Sequence, residues 1–315
     1  MLKRLEIQNF TVFGKASFEF SPGLNIVVGT NGTGKTQLLK LGYLFLRAWP
    51  DLVSSHQPAS QKRIEAYLEE KLMGLFRPEG LEHLRRQGAK GETTVAADIM
   101  GSAVGVFGDP AQDLAPDGTP REPYELHWHI ALRGTAGATV EATRSPADLS
   151  TFLLDQPPVF VPSKEMVSLF EGLIALFEKY EIQLDETYRD LAVAMSIPER
   201  RKPSPLLPEL LDRLKAAIGG ELILEKGRLL LRQAAGGDMA PHLVAEGFRK
   251  LGLLLYLVRN EIVAPGRTLF WDEPEANMNP ALTRPLIEVL VALAGKGVQV
   301  ICATHSLFVL REVEI

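Results

Sequence analysis

The sequence predicts an α/β fold, with a mixed sheet core, an antiparallel β lobe and a helical lobe. Three observations carry the sheet core. An apolar run, Leu24 to Val28, leads into a glycine-rich loop and then into a stretch with apolar residues at helical spacing. A second apolar run, Leu269 to Trp271, ends in two carboxylates, Asp272 and Glu273. A third, Val298 to Cys302, follows a helical stretch from about Pro280 to Ala294. Short continuous apolar runs separated by helices are what a sheet covered on both faces requires.

Composition bounds the rest. The 315 residues are 46% hydrophobic and 23% charged, enough apolar surface for a full core, which excludes a disordered chain. With 34 Lys and Arg against 39 Asp and Glu, the formal charge of −5 excludes wholesale coating of nucleic acid, though not a local basic groove. A single cysteine, Cys302, excludes an intramolecular disulfide and a cysteine-rich zinc site. The apolar stretch Leu253 to Val258 is far short of the ~20 residues that span a bilayer. Met1 to Glu6 is charged and lacks the apolar stretch of a secretory signal, so a cytoplasmic protein without membrane contact is expected.

The elements follow in order. Leu5, Ile7 and Asn9, then Phe18 and Phe20 after a turn at Gly14, alternate as strands with one buried face. Ser21-Pro22-Gly23 is a turn before the strand Leu24 to Val28. Lys35 to Ala48 reads as a helix with Leu38, Leu39, Leu41, Leu44 and Phe45 inward, and Pro50 lies just beyond its expected end. Residues 60 to 88 have helical spacing (Ile64, Tyr67, Leu68, Leu72, Leu75), and strand-like pieces follow at Thr93 to Ile99 and Tyr124 to Leu132. Between those strands, Gly108 to Pro123 holds four prolines and reads as an exposed loop. Residues 164 to 218 are helical in pattern, broken by a loop from Pro198 to Pro208. Glu221 to Arg232 alternates around Lys226-Gly227 as a hairpin, and Glu246 to Asn260 is an apolar helix. The expected division is a core lobe of 1–50 with 264–315, a helical stub and antiparallel insertion at 51–155, and a helical lobe at 156–263. No internal repeat is evident.

Gly29-Thr30-Asn31-Gly32-Thr33-Gly34-Lys35-Thr36 matches G-x-x-x-x-G-K-[ST] in full, with an apolar strand before it and a helix after it. Several backbone N–H groups must converge on one phosphate, which needs backbone angles that glycine adopts freely. The following helix adds its unpaired N–H groups and the positive end of its dipole. Lys35 is placed to reach the β- and γ-phosphates, and the Thr36 hydroxyl to ligate Mg²⁺. A glycine-rich turn that matches by chance is the alternative, and the flanking elements disfavour it. The pattern predicts a nucleoside triphosphate site.

Carboxylates at the end of an apolar strand sit where sheets of this class bind ligands. Asp272 is placed beside Thr36 to hold Mg²⁺ through water, and Glu273 to orient or deprotonate an attacking water. A solvated Asp-Glu-Pro turn is the competing explanation for the tetrapeptide alone. His305 follows the strand ending at Cys302 and is placed to hydrogen-bond the γ-phosphate.

Together these motifs resemble an ATPase head of the ABC class of P-loop NTPases. Within it, they are most similar to the branch that includes RecF, SMC, Rad50 and the overcoming-lysogeny ATPases. The opening Leu5-x-Ile7-x-Asn9-Phe10 and Gly23 to Gly29 are similar to the start of those heads, and Asp272 to Pro280 resembles the form of stand-alone, defence-associated members. The resemblance implies ATP and Mg²⁺ as ligands. Its nucleotide-contacting set is Asn31, Gly32, Thr33, Gly34, Lys35, Thr36 and Gln37, with Thr36 and Asp272 at the metal and Lys35, Glu273 and His305 in catalysis. It also implies a two-fold dimer that sandwiches ATP, each nucleotide touching a signature segment of the other subunit.

That signature falls at Val244 to Lys250, where Gly247 is kept but Glu246 stands in the place of a serine. A carboxylate facing a phosphate is repulsive, so either Glu246 turns away, or Arg249 or Lys250 compensates. An ordinary buried helix with a glycine packing contact is the alternative. The family's glutamine loop falls at Val159 to Glu165, which has no glutamine. Ser163, Lys164 or Glu165 substitutes there, or Ser163 is simply a helix N-cap. His127 and His129 share a strand face and invite a metal reading, against which an exposed sheet face is the better explanation.

Three biological roles fit. The first is an ATP-driven controller of a separate effector nuclease in bacterial anti-phage defence, of the Septu type. The second is a RecF-like head of DNA repair or chromosome organisation, with DNA as a partner. The third is a transporter subunit, which the modified signature, the opening and the 51–155 insertion disfavour. Residues 60 to 88 are too short for the long coiled coil of SMC or Rad50. Related heads usually extend further beyond the histidine than this chain does past His305, so either a compact member or a missing C-terminal region is expected.

Overall fold

The computed structural model describes residues 1–54, 60–101, 124–134, 137–145, 157–180, 182–197 and 206–313. The proline-rich loop expected at 108–123 and most of the loop expected at 198–208 lie outside them.

Twelve strands and eight α-helices are described. The strands are β1 (Leu2–Phe10), β2 (Phe13–Glu19), β3 (Leu24–Val28), β4 (Thr93–Gly101), β5 (Tyr124–Arg133), β6 (Thr139–Ser145), β7 (Val159–Val161), β8 (Gly220–Glu225), β9 (Arg228–Gln233), β10 (Asp238–Met239), β11 (Thr268–Asp272) and β12 (Gln299–Thr304). The helices are α1 (Lys35–Ser54), α2 (Gln61–Phe76), α3 (Leu173–Lys179), α4 (Glu186–Met195), α5 (Pro208–Ile218), α6 (Glu246–Arg259), α7 (Pro280–Gly295) and α8 (Leu307–Val313).

The centre is a parallel four-stranded sheet in the order β3-β12-β11-β7. Alternate residues of its strands enter two different cores. Leu269 and Trp271 of β11, with Val300 and Cys302 of β12, face the helical side, where α6 and α7 pack. Phe270, Ile301 and Ala303 face α1 and the antiparallel lobe. Both faces are therefore dry, which explains why β11 and β12 read as unbroken apolar runs. Burying a side chain such as Phe270 contributes about 1.5–3 kcal/mol, so this layer anchors the molecule.

The antiparallel lobe is one five-stranded sheet, β2-β1-β4-β5-β6. Its strands come from both sides of the division expected at residue 51, because β4 pairs directly with β1. The segment 51–155 thus completes a sheet begun at the N-terminus. Gln299, at the start of β12, joins this lobe to the central sheet. Its side-chain carbonyl accepts from Leu2 N at 2.8 Å and Thr268 Oγ1 at 3.0 Å, and its amide donates to Leu2 O and Ser21 O at 2.7 and 2.9 Å. A buried amide with this many partners carries no desolvation penalty and fixes one register.

Three expectations change. The β1–β2 turn lies at Thr11-Val12, and Gly14 is inside β2, where the Arg86 guanidinium lies over it and a Cβ would approach Nη1 to 2.9 Å. Helix α1 runs through Pro50 to Ser54. Burial of Trp49 and Leu52 offsets the backbone bond that a proline removes. Strand β7 pairs with β11, so Val159–Val161, read as part of the helical lobe, belongs to the central sheet. The hairpin at Lys226-Gly227 and the helices from Pro280 and Glu246 are as expected.

Candidate functional site

Parallel pairing builds the site. Val28 of β3 is in register with Thr304 of β12, and Ala303 with Asp272 of β11. The glycine loop, the Asp272-Glu273 pair and His305 therefore leave the same edge of three neighbouring strands.

The loop bends at Gly32 (φ +79°) and Gly34 (φ +91°). Gly34 is further constrained by the β1–β2 turn, since a Cβ there would lie 2.6 Å from Val12 Cγ2 and 2.7 Å from Phe13 Cζ. The antiparallel lobe thus presses on the loop, and Thr11 Oγ1 donates to Gln37 Oε1 beside it. Lys35 is folded over the loop, its ammonium donating to Gly29 O at 2.8 Å and Thr30 O at 3.0 Å. Thr33 Oγ1 donates to Thr30 O at 2.9 Å, and Asn31 is exposed at the tip.

Thr36 Oγ1 donates to Asp272 Oδ2 at 2.7 Å. Asp272 is 3% exposed, and its Oδ1 is closed to solvent with no hydrogen-bond partner. Burial pushes its carboxyl above the usual range, against the Thr36 bond and the Lys40 and Lys35 charges. Glu273 has a left-handed backbone (φ +50°), uncommon for a residue with a Cβ. That conformation ends β11 and leaves its carboxylate 3.1 Å from His305 Nδ1.

The signature-like segment touches this cluster through Lys250, at its C-terminal end. Gly247 is buried at the start of α6, where a Cβ would lie 3.0 Å from Leu282 Cδ1 and 3.4 Å from Met278 Cγ. A packing contact therefore accounts for this glycine within the chain. Glu246 accepts from Asn277 Nδ2 at 3.2 Å, so its carboxylate is turned toward the loop after Glu273. Lys250 also points inward, donating to Ala276 O at 2.7 Å and Glu273 O at 3.4 Å. Its burial lowers its pKa, against the pull of Glu246, Glu275, Glu165 and Glu273.

At the junction after β7, Ser163 and Lys164 form a bend and cap no α-helix. Glu165 accepts from Val167 N and Ser168 Oγ at the following 3-10 turn and pairs with Arg249 Nε at 2.9 Å. His127 and His129 share the exposed face of β5. His127 contacts Asp98 at 2.7 Å, and no cluster of metal-ligating side chains exists among the described residues.

Residues 136–311 match the family described as "AAA domain, putative AbiEii toxin, Type IV TA system". The chain belongs to this AAA family. A further AAA-domain profile matches residues 4–41 of the AAA chain, which carry β1 to the start of α1. The DNA replication and repair protein RecF of Streptococcus uberis is 34% identical over 71 residues, 22% of this chain and 18% of that protein. RecF of Streptococcus suis matches to the same extent, so the shared stretch spans under a fifth of these relatives. Among solved structures, the SMC head bound to the C-winged helix domain of ScpA aligns with a TM-score of 0.57 at 16% identity, covering 99% of this chain and 91% of that one. The SMC head with an extended coiled coil, bound to the C-terminal domain of ScpA from Pyrococcus furiosus, aligns with a TM-score of 0.56 at 14% identity and the same coverage. The fold of the AAA chain is an ABC-type ATPase head with mixed sheets and helices.

Sequence reasoning missed two features of this AAA head. Lys40, one turn along α1 from Thr36, pairs with Asp185 at 2.8 Å, and Asp185 caps α4. Glu275 accepts the Thr304 hydroxyl. Glu275 lies inside the Asp272-to-Pro280 motif, but its partner, like that of Lys40, is set by contacts between distant segments.

Proposed function

We propose that this protein binds and hydrolyses MgATP and uses ATP to join two copies of itself. The observation that carries the reading is the Thr36–Asp272 contact at 2.7 Å. A hydroxyl from the phosphate loop and a carboxylate with an unpartnered buried oxygen suit a divalent cation, since both offer hard oxygen ligands. A bound Mg²⁺ supplies charge neutralisation at the β- and γ-phosphate oxygens.

The chain's own groups do the rest. The loop N–H groups from Asn31 to Gln37 and the start of α1 hold the phosphates, and Lys35 exchanges its two carbonyl partners for phosphate oxygens. Glu273 accepts a proton from the attacking water as the water oxygen bonds to the γ-phosphorus and the bond to the bridging oxygen breaks, that oxygen leaving with its electron pair on ADP. His305 steadies the Glu273 carboxylate and faces the γ-phosphate.

The dimer reading draws support from Leu307 (79% exposed) and Phe308 (60% exposed) directly after His305-Ser306, and from Leu243 (69% exposed) before α6. The adjacent pair Leu307 and Phe308, next to His305-Ser306, is apolar surface that a second copy would cover. In the dimer the start of α6 faces the nucleotide of the second copy through backbone N–H groups, with Gly247 kept for packing. Controlled turnover is the output, passed to an effector nuclease in an anti-phage defence system of the Septu type. A RecF-like role on DNA is the second reading, favoured by the 71-residue match to RecF.

ATP turnover by the purified protein, with Lys35→Ala and Glu273→Gln as controls, tests the chemistry. Stimulation of turnover by DNA alone selects the second role, and stimulation requiring a co-purifying nuclease selects the first. Turnover that persists in Lys35→Ala removes the nucleotide assignment.

A further inference from the structure

Glu275 lies two residues beyond Glu273, and neither the phosphate loop nor the carboxylate pair accounts for it. Its Oε1 accepts the hydroxyl proton of Thr304, a fully buried residue at the end of β12. The Thr304 oxygen in turn accepts from Ser306 N at 2.9 Å. A hydroxyl has one proton to give. With that proton held by Glu275, a lone pair of the same oxygen is aimed at the Ser306 amide, and the turn carrying His305 is pinned from both sides.

The pin closes a ring. Glu273 N donates to Ala303 O at 2.9 Å, and His305 Nδ1 lies 3.1 Å from Glu273 Oε1. Residues 273–275 form one arc and 303–306 the other. Lys250, 3% exposed, donates to Ala276 O and Glu273 O and gives the carboxylates of this arc a positive neighbour. Glu275 Oε2 is closed to solvent and has no partner. An acceptor left unmatched in the interior is costly and needs an explanation beyond packing.

We propose that Glu275 is a positioning residue for ATP hydrolysis: through the Thr304 hydroxyl it holds the turn that presents His305 to Glu273. This rests on the hydrolytic reading above and adds to it a residue that acts through Thr304.

Steady-state kinetics on the full chain test it. Glu275→Ala is expected to lower kcat about tenfold, with KM and ATP affinity within about twofold of the parent. Glu275→Gln keeps a carbonyl acceptor for Thr304 and restores most of the rate. Thr304→Val, which removes the hydroxyl and keeps the shape, matches Glu275→Ala, and the double variant is no slower than either single one. In a His305→Ala background, Glu275→Ala costs nothing further. A loss that multiplies with His305→Ala, or an unchanged kcat in Glu275→Ala, overturns the proposal. Should Glu275→Ala fail to fold, Thr304→Val against Thr304→Ser decides in its place: equal rates overturn the role, and a slow Val with a normal Ser supports it. Lys35→Ala is measured in parallel. If it is inactive while Glu275→Ala runs at full rate, only the positioning role fails; if it turns over normally, the hydrolytic reading fails first.

Discussion

Thr36 and Asp272, 236 residues apart along the chain, meet through a hydrogen bond of 2.7 Å. The contact exists because β3 and β11 flank β12 in one parallel sheet, so a loop after the first and a carboxylate at the end of the second share an edge. The energetics of that edge yield four predictions.

Asp272 is expected to make stability pH-dependent in a defined direction. Burial raises its pKa in the folded state above the ordinary 3.8, so the folded protein holds the proton more tightly than the unfolded chain. Its favourable contribution is complete below 3.8 and is lost as pH rises through the raised value. Asp272→Asn, which cannot ionise, should gain stability relative to the parent over that rise in metal-free buffer. Mg²⁺ with nucleotide should stabilise the parent at neutral pH and stabilise Asp272→Asn less, because the glycine loop and Lys35 still offer a phosphate site while the metal loses a charged ligand. Urea denaturation at stepped pH, with and without Mg²⁺, checks both parts.

Gly34 and Gly32 should respond differently to alanine. Both have positive φ, but only Gly34 is crowded, with Val12 and Phe13 within 2.6 and 2.7 Å of a built Cβ. Gly32→Ala is expected to cost about 1–2 kcal/mol of backbone strain. Gly34→Ala adds overpacking of about 1–3 kcal/mol, and Val12→Ala should return part of it. Thermal unfolding of the two variants and of the Val12 double variant is the measurement.

Lys35→Ala removes two charge-assisted bonds from the loop as well as the cation that faces the phosphates. Nucleotide affinity should fall by about a hundredfold or more, equivalent to ~2.7 kcal/mol. Titration calorimetry reads the affinity, and circular dichroism separates it from a loss of fold.

Glu273→Gln should bind ATP normally and turn it over at least about a hundredfold more slowly, since the amide cannot accept the proton of the attacking water. An ATP-bound dimer is expected to accumulate, visible as a doubling of mass by light scattering. A variant that stays monomeric with ATP bound would separate hydrolysis from dimerisation.

The phosphate loop was legible because its requirements are local: glycine at left-handed positions, a lysine, a hydroxyl and the start of a helix. Strands β11 and β12 were legible because burial on both faces leaves an unbroken apolar run. Gly14 looks like a turn residue, yet it lies inside β2 and the chain reverses at Thr11-Val12. Pro50 ended α1 on paper, whereas burial of Trp49 and Leu52 carries the helix to Ser54.

Residue order alone therefore marked the strand–glycine loop–helix pattern and singled out Lys35, Thr36, Asp272 and Glu273 as its candidate lysine, hydroxyl and acids, since each is specified by its immediate neighbours. The tertiary structure alone decided that Gly247 packs inward, that Lys250 braces the turn after Glu273, and that Glu275 grips Thr304. Those contacts join segments brought together by strand order and helix packing, and no local pattern of residues encodes such a distance.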